Sequence, residues 1–352
     1  MTTRAAAVCL ALVLCACQAS TTTDQPAMTA TAAATDTQTP ATVSPAASPA
    51  PSVDLSSLFD VTDWIAYLGP VDGDDGVRLV HPDGSDDQGL TPPAGAVVVL
   101  ADWSPDGQRL VMASRGGPPE LLYVYDLASE TFTTPIPCED DCLGDDDPAY
   151  SPDGTRVAFQ RYLGPFTPNG PSNCNLWIGT LATGEVEQVT FGEGCQQPAS
   201  PRWSPDGTRI AYFRESRESS GLSDAVFVLD LATGTETQLT DWELAAGYPS
   251  WSPDGDWIVM ATHPFWTFNF DEVPSDLYRM HPDGTGLEQL TFYDSPSTRA
   301  NQPRYAPDGN WIVFTADTGT NRELWAMPAE GGEPVTLISN GIYTHAAWQP
   351  TP

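Results

Sequence analysis

The residues best suited to metal chemistry stand in one acidic stretch, CEDDCLGDDDP, at residues 138–148. Carboxylates are the hard oxygen ligands that calcium takes in loops. The stretch therefore gives a calcium hypothesis with these ligands: Glu139, Asp140, Asp141, Asp145, Asp146 and Asp147. The stretch DGDDG at 72–76 offers similar ligands. Neither matches an EF-hand loop, and acidic runs are usually solvated, so a hydrated acidic surface is the alternative.

Histidine is scarce, with four residues in the chain. His81 and His281 both stand in HPDG, which is a turn sequence, and we assign them to turns. His263 and His345 remain, and two histidines without a third ligand are weak evidence for a metal. Neither G-x-S-x-G nor H-E-x-x-H occurs in the sequence. We expect no cofactor apart from the hypothetical calcium, and no assigned catalytic residue.

The charge balance is strongly acidic, with 47 acidic and 14 basic residues and a net charge of -33. Nucleic-acid binding needs clustered cations, so this balance argues against it. All the basic residues are Arg, and a phosphate-binding loop of the Walker type is excluded because its Lys is missing. The acidity indicates a solvated surface that keeps the protein soluble.

The N-terminus carries the pattern of an export signal, with MTTR followed by the apolar run AAAVCLALVLCAC. That run of 13 residues is too short to span a bilayer as a helix. Its end, LCAC at Leu14–Cys17, resembles a bacterial lipobox, in which Cys17 is lipidated. Ordinary secretion with cleavage after a small residue is the alternative. Residues 18–57 are rich in Thr, Ala, Ser and Pro and predict a disordered tether.

Four cysteines lie beyond the signal, and an even number in an exported chain predicts disulfides. We pair Cys174 with Cys195 and Cys138 with Cys142, although cross-pairing among the four stays open. Zinc is less favoured because the four include no C-x-x-C pair.

A repeat organises the rest of the chain. WSPDG at 103 returns in near-copies that begin at 150, 203, 251 and 305. Each copy is followed by an apolar run, an irregular stretch and two further β-rich segments, which predicts four short strands per unit. A unit of about 50 residues with four short strands is typical of a β-propeller blade.

The two ends of the repeat region complete one more blade. WIAYLG at 64 matches a second strand, and THAAWQP at 344 matches an isolated first strand. Pairing the two would close the ring and remove its exposed sheet edges. We therefore predict an all-β fold over residues 58–352: a six-bladed β-propeller of four-stranded blades, whose closing blade is shared between N- and C-terminal strands.

These repeats resemble the PD40 repeats of the TolB family, and the resemblance covers about residues 58–350. It implies a six-bladed propeller. The same repeat type occurs in the propeller domains of dipeptidyl-peptidase-like enzymes. The sequence lacks the separate N-terminal domain of TolB itself, so the role and partner of TolB are not carried over to this chain.

The Asp of each SPDG copy could belong to an acidic ring or to a turn. The five are Asp106, Asp153, Asp206, Asp254 and Asp308. Pro before the Asp and Gly after it supply the backbone angles of a tight turn. Because all three residues recur together, we predict that these Asp side chains shape the turn between the first and second strands.

The short SPDG and HPDG turns share one rim of the propeller, and the long dissimilar loops share the other, here called the long-loop rim. Binding residues concentrate on irregular loops held by a rigid scaffold. The predicted binding residues on this rim are Phe166, Trp242, His263, Trp266, Phe268, Phe270, Tyr293, Arg299, Tyr343 and His345. The alternative for the aromatic run PFWTFNF is that it packs beneath its own loop.

The sequence thus predicts a monomeric, non-catalytic lipoprotein of the bacterial cell envelope, held at the outer face of a membrane or in the periplasm. Its long-loop rim would bind an envelope protein or a glycan. The alternative is a carbohydrate-active enzyme of the lyase or glycosidase type at the channel mouth. Three histidines or paired carboxylates meeting over the channel would favour the enzyme.

Overall fold

The computed structural model describes residues 64–71, 74–92, 96–115, 119–167, 170–192, 198–218, 221–262, 275–293, 298–319, 321–339 and 344–350. The predicted signal and tether lie outside these residues. Within them the chain forms 24 strands and a 3-10 turn at Trp242–Leu244, arranged as six antiparallel four-stranded sheets. The described residues contain no helix with the length and hydropathy needed to cross a membrane.

The six sheets are the blades, numbered here from the N-terminus. Blade 1 contains β24 (Thr344–Trp348), β1 (Ile65–Val71), β2 (Asp74–Val80) and β3 (Gln88–Gly89). Blade 2 contains β4 (Val97–Trp103), β5 (Arg109–Arg115), β6 (Leu122–Asp126) and β7 (Thr131–Thr133). Blade 3 contains β8 (Cys142–Tyr150), β9 (Arg156–Thr167), β10 (Gly170–Thr180) and β11 (Val186–Gln188).

The second half repeats the arrangement. Blade 4 contains β12 (Ala199–Trp203), β13 (Arg209–Glu218), β14 (Gly221–Asp230) and β15 (Thr235–Gln238). Blade 5 contains β16 (Ala246–Trp251), β17 (Ile258–Thr262), β18 (Leu277–Met280) and β19 (Glu288–Gln289). Blade 6 contains β20 (Arg299–Tyr305), β21 (Trp311–Asp317), β22 (Arg322–Pro328) and β23 (Val335–Ile338).

The ring closes through blade 1, as the sequence predicts. β24 supplies the first strand of that blade and pairs with β1 in the register Ile65↔Trp348 and Ala66↔Ala347. The backbones of Trp64 and Gln349 also bond, with Gln349 N donating to Trp64 O at 2.8 Å. Each first strand contacts the first strands of both neighbouring blades, so β4, β8, β12, β16, β20 and β24 surround a central channel.

The repeat aromatic at the end of each first strand joins neighbouring blades. The indole N–H groups of Trp103, Trp203 and Trp251 donate to inner-strand carbonyls of the preceding blade at 3.0, 3.2 and 3.1 Å. Tyr150 takes the same place in blade 3 but has no indole N–H, and its buried hydroxyl has no hydrogen-bond partner among the described residues.

The SPDG segments form the turns between first and second strands, which confirms the turn interpretation. In the copy at 150, the Ser151 hydroxyl donates to Asp153 Oδ1 at 2.6 Å, and Thr155 N donates to the same oxygen at 3.0 Å. Ser151 Oγ in turn accepts from Arg156 N at 3.0 Å. Gly154 takes a positive φ of 68°. The Asp carboxylate is thus hydrogen-bonded within its own turn.

These bonds favour the ionised Asp. The Ser hydroxyl is the main cause, and the pKa values of Asp153 and Asp206 fall to about 2. In the copy at 305, Ala306 replaces the Ser, so Asp308 bonds only to Asn310.

We expect the triple variant Asp153→Ala, Asp206→Ala, Asp254→Ala to lower the unfolding free energy by about 3 kcal/mol at pH 7, about 1 kcal/mol for each turn that loses its Asp bonds. Asp308→Ala, which removes no Ser bond, is the control and should cost less per site. A depressed pKa stabilises the fold above the ordinary Asp value, and this stabilisation is lost as pH falls toward 2. The difference between wild type and the triple variant, measured by urea unfolding, should therefore shrink below pH 4. A difference that stays constant down to pH 2 would contradict this assignment.

A bulge interrupts the pairing of every first strand with its neighbour. In five blades the residue at this bulge is not Gly, yet it takes a positive φ of 50–55°. These residues are Asp147, Ser200, Tyr248, Gln302 and His345. Bulges redirect side chains away from the regular alternation of a strand, and these five lie on the strands that surround the channel.

Candidate functional site

A cavity of about 220 Å³, a volume that includes open solvent at its mouth, lies in the channel between the first strands of blades 4, 5, 6 and 1. Its lining combines polar side chains with two prolines: Ser200, Arg202, Tyr248, Pro249, Gln302, Pro303, Arg304 and His345. We call this cavity the channel pocket. Four of its residues, Ser200, Tyr248, Gln302 and His345, are bulge residues with positive φ.

The local sequence explains why these side chains meet. Three of the contributing strands share the pattern of a bulge residue, a Pro, a variable residue and the repeat aromatic, as in SPRW, YPSW and QPRY. The Pro fixes φ and carries no N–H, so it suits a place where regular strand pairing is interrupted. In blades 4 and 6 the variable residue is Arg202 and Arg304, and both arginines line the pocket.

Arg304 has an acidic partner. Its Nη1 lies 3.3 Å from Asp102 Oδ1, across the ring on blade 2. Asp102 Oδ2 accepts from Tyr150 N at 2.9 Å, so this carboxylate is engaged on both oxygens. Burial, reinforced by the charge of Arg202, lowers the pKa of Arg304 to about 9. Two guanidinium groups therefore share one poorly solvated space.

Arg202 has no such partner. Its Nη1 donates to Pro201 O at 2.5 Å, and its buried Nε has no acceptor among the described residues. Burial lowers the pKa of Arg202, against the opposing effect of Asp102 and Asp147. Asp147 itself accepts from Ser200 N at 3.0 Å and from Ser200 Oγ at 3.3 Å. Arg202 is thus a partly buried cation whose Nε is shielded from solvent and lacks a hydrogen-bond acceptor among the described residues.

His345 is held as a neutral ring. Gln302 Oε1 accepts from His345 N at 2.8 Å, and Gln302 Nε2 lies 2.9 Å from His345 Nε2. Burial, with the charges of Arg304 and Arg202, lowers the pKa of His345 well below its ordinary value. The ring also meets Tyr248 edge-on at 6.0 Å between centroids. The imidazole therefore offers the pocket a polar, uncharged edge at neutral pH.

The arrangement supplies hydrogen-bond donors and positive charge, and no carboxylate lines the channel pocket. His345 is the one histidine among its lining residues, so the described part of the channel does not bring three histidines together. His263 lies outside the described residues. The chemistry present is that of anion recognition, without a paired acid and base.

The predicted rim residues fall into three groups: some lie in or near the channel, some pack in the core, and the side chains of others are not described. His345 lines the pocket, and Arg299 begins β20. Trp242 packs against Phe227 at 5.9 Å, and Tyr293 packs against Trp325 at 6.5 Å, so both join core clusters. Phe166 lies in β9, but its side chain is not among those described. His263, Trp266, Phe268, Phe270 and Tyr343 lie outside the described residues.

Two exposed aromatics were missed by sequence reasoning. Phe191 and Phe292 are 76% and 72% exposed. Each follows a Thr at the end of the fourth strand, where the chain crosses to the next blade on the long-loop rim. The repeated segments QVTF and QLTF could have revealed them. Exposed single apolar side chains are common, and these two occupy equivalent positions after the fourth strands of blades 3 and 5.

The acidic stretch does not converge on one point. Asp145 forms a buried fork with Arg161 at 2.6 and 2.7 Å, Asp146 lies 3.4 Å from Arg115, and Asp147 turns toward Ser200. Within the described residues, three such groups come together only at Cys138, Cys142 and Asp145. The two sulfur atoms there are joined in a disulfide. The geometry gives the calcium hypothesis no support, and it stays a prediction.

The structure describes three of the four cysteines that were predicted to form disulfides. Cys138 and Cys142 are bonded, with their Cα atoms 5.3 Å apart. Cys174 is also disulfide-bonded. Its predicted partner, Cys195, lies outside the described residues.

A six-bladed β-propeller with a polar pocket in its channel is the class of protein that this fold and site define. The family model of the TolB β-propeller domain, PD40, matches residues 148–300 and 186–351. The chain belongs to this PD40 family of TolB-type propellers.

Two bacterial proteins are similar in sequence. The chain is 29% identical over 197 residues to the uncharacterized peptidase YuxL of Bacillus subtilis, covering 49% of this chain and 29% of that protein. It is 28% identical over 277 residues to an uncharacterized protein of Agrobacterium fabrum, covering 71% of this chain and 80% of the other. The chain thus spans less than a third of the Bacillus relative.

Two solved structures are similar in fold. TolB from Acinetobacter baumannii superposes with a TM-score of 0.65 at 19% identity, over 83% of this chain and 68% of that one. An oligogalacturonate lyase in complex with manganese superposes with a TM-score of 0.54 at 18% identity, over 79% and 72%. At such identities the likeness shows the fold alone.

Proposed function

We propose that this protein is an exported, non-catalytic binding module that holds an envelope protein or a glycan at its long-loop rim and in the channel pocket. The observation that carries this proposal is the pocket itself. It presents an unfilled guanidinium and uncharged polar groups inside a closed ring of strands. Rigid scaffolds of this kind favour binding because little conformational entropy is lost.

The exposed pair Phe191 and Phe292 supports the rim as part of the contact surface. Aromatic side chains supply large contact areas at low entropic cost and are enriched at binding hot spots. Family membership with TolB-type propellers is consistent with a protein partner.

The proposal includes export and an anchor. The segment MTTRAAAVCLALVLCAC would direct export, and a lipid on Cys17 would hold the propeller at a membrane surface through the tether at 18–57. The propeller would then face the envelope as a monomer.

The alternative is a carbohydrate-active enzyme acting in the channel. It is favoured by the similar fold of an oligogalacturonate lyase. The lining of the channel pocket disfavours it, since one neutral histidine and two arginines provide neither a pair of carboxylates nor a set of metal ligands.

The rim proposal is tested with the full-length protein, immobilised and exposed in parallel to an envelope extract and to a glycan array. We compare wild type with the double variant Phe191→Ser, Phe292→Ser. The matched control is Leu287→Ser, which changes a 48% exposed side chain beside the HPDG turn on the opposite rim.

We expect the double variant to reduce capture of the partner or glycan at least tenfold, and the Leu287 variant to retain it. Equal capture by all three proteins would overturn the rim as the binding surface. Turnover of an arrayed glycan by wild type would favour the enzyme instead.

A further inference from the structure

We propose that the channel pocket is a carboxylate-binding site, in which Arg202 and Arg304 hold a singly charged acid group of the ligand. This inference rests on the proposed binding function and names the chemistry of the group that enters the channel.

Arg202 provides the main argument. A guanidinium N–H that is shielded from water and lacks a hydrogen-bond acceptor is costly, and proteins normally pair such groups. The Arg202 side chain is partly buried, its Nε is buried without an acceptor among the described residues, and its Nη1 donates to the adjacent Pro201 O. An incoming carboxylate would supply acceptors in the planar geometry that guanidinium groups favour.

The nearby acids cannot fill this role as they stand. Asp102 is bonded to Arg304 and to Tyr150 N, and Asp147 is bonded to Ser200. Both approach from blades 2 and 3, and neither lines the pocket. The free donors of Arg202 therefore remain for a ligand.

Charge favours a single negative charge on that ligand. Two guanidinium groups stand against the two flanking carboxylates, so a dianion would add twice as much uncompensated negative charge to this region as a monoanion. The net charge of -33 on the whole chain also repels multiply charged anions. A monoanionic carboxylate is favoured over a phosphate on both grounds.

The volume of the channel pocket limits how much of a ligand can enter it. The volume of about 220 Å³ includes open solvent at the mouth of the channel pocket, so its enclosed part is too small to hold a whole ligand. It suits one terminal group, with Ser200, Gln302 and neutral His345 available for hydroxyl or amide neighbours. A peptide C-terminus and a terminal uronic acid share this chemistry.

The experiment titrates the full-length protein by calorimetry with paired probes. One arm uses the tripeptide Gly-Ala-Ala as the free acid and as its C-terminal amide. The other uses galacturonic acid and galactose, and inorganic phosphate serves as the dianion. The variants are Arg202→Gln and, as control, Arg109→Gln, whose guanidinium lies 3.6 Å from Asp106 beside an SPDG turn.

We expect one or both acids to bind, their neutral partners to bind at least tenfold more weakly, and phosphate not to compete. Arg202→Gln should weaken the acid at least tenfold, and Arg109→Gln by less than twofold. The arm that binds identifies the source of the acid group. Because Arg202→Gln removes an unpaired buried charge, its melting temperature should equal or exceed that of wild type, which checks folding independently.

Absence of binding by both acids, equal binding of acid and neutral partner, or equal binding by Arg202→Gln would overturn the carboxylate site. Tighter binding of phosphate would overturn it as well. If the wild type captures the envelope partner but binds neither acid, the rim proposal stands and the carboxylate site is removed. Loss of capture in the Phe191, Phe292 variant alone reports on the rim and not on the pocket.

Discussion

Asp145→Ala is expected to lower the unfolding free energy by about 3–5 kcal/mol, because it leaves Arg161 buried without its counterion. The Asp145 side chain is fully buried and that of Arg161 is 6% exposed. Arg161 donates through Nε and Nη2 to the two oxygens of Asp145, and Nη2 also donates to Pro137 O at 2.7 Å. No water replaces the carboxylate easily at such depth.

Burial is the main influence on the pKa of Asp145 and raises it, while Arg161 opposes the rise. The same guanidinium lies over the rings of Phe159 and Trp177, so its removal would also cost packing. For this reason the acid is changed rather than the base.

Urea unfolding of wild type and variant measures the effect. Asp317→Ala is the control, since it breaks a partly exposed pair with Arg322 at 3.3 Å and should cost less than about 1 kcal/mol. The double change Asp145→Leu, Arg161→Met should recover much of the loss, because it removes both charges together. If Asp145→Ala and Asp317→Ala proved equally mild, the buried fork would not stabilise blade 3 as argued.

Deleting residues 340–352 is expected to prevent stable folding at 25 °C, with a cost above about 5 kcal/mol. The deletion removes β24, including the buried Ala346, Ala347 and Trp348. Loss of one buried Trp alone costs about 3–5 kcal/mol. It also exposes the paired edge of β1 and opens the ring. Total stabilities of about 5–15 kcal/mol leave little margin for such a change.

Gel filtration and thermal melting of the shortened protein provide the measurement, and we expect aggregation or an early, broad melt. The matched control deletes only residues 351–352, which follow the closing strand, and should behave as wild type. A shortened protein that migrates and melts like the full chain would refute closure through β24.

The fold could be predicted because its determinants are local and repeated. Each SPDG turn joins a first strand to a second, and the structure reproduces this at all five copies. Even the shared closing blade follows from matching WIAYLG and THAAWQP to strands of complete repeats.

The channel pocket could not be predicted because its residues come from four blades and depend on bulges. A bulge between Asn301 and Arg304 interrupts the alternation along β20, and His345, which bonds to Gln302, lies 43 residues further on. One feature of the sequence could have pointed to the pocket. The residue directly before the repeat aromatic is charged in only three blades, where it is Asp102, Arg202 and Arg304. Those three residues lie together in the structure.

Aromatic content alone does not show which rim side chains are exposed. Trp242 and Tyr293 stand in rim segments and pack against core clusters, whereas Phe191 and Phe292 are exposed to solvent. The acidic run likewise does not show which carboxylates lie together, because consecutive residues of a strand point to opposite faces and separate Asp145 from Asp146.

Because β24 is the last strand in the sequence, it also determines the order in which the blades can be completed. Blade 1 begins with β1, yet its innermost strand is supplied only after the other five blades have been made. Until then β1 presents an unpaired edge, and the six first strands cannot enclose the channel. As the chain is made, the N-terminal blade therefore waits for the final residues of the ring, and the channel pocket, which needs His345 from that strand, is assembled last.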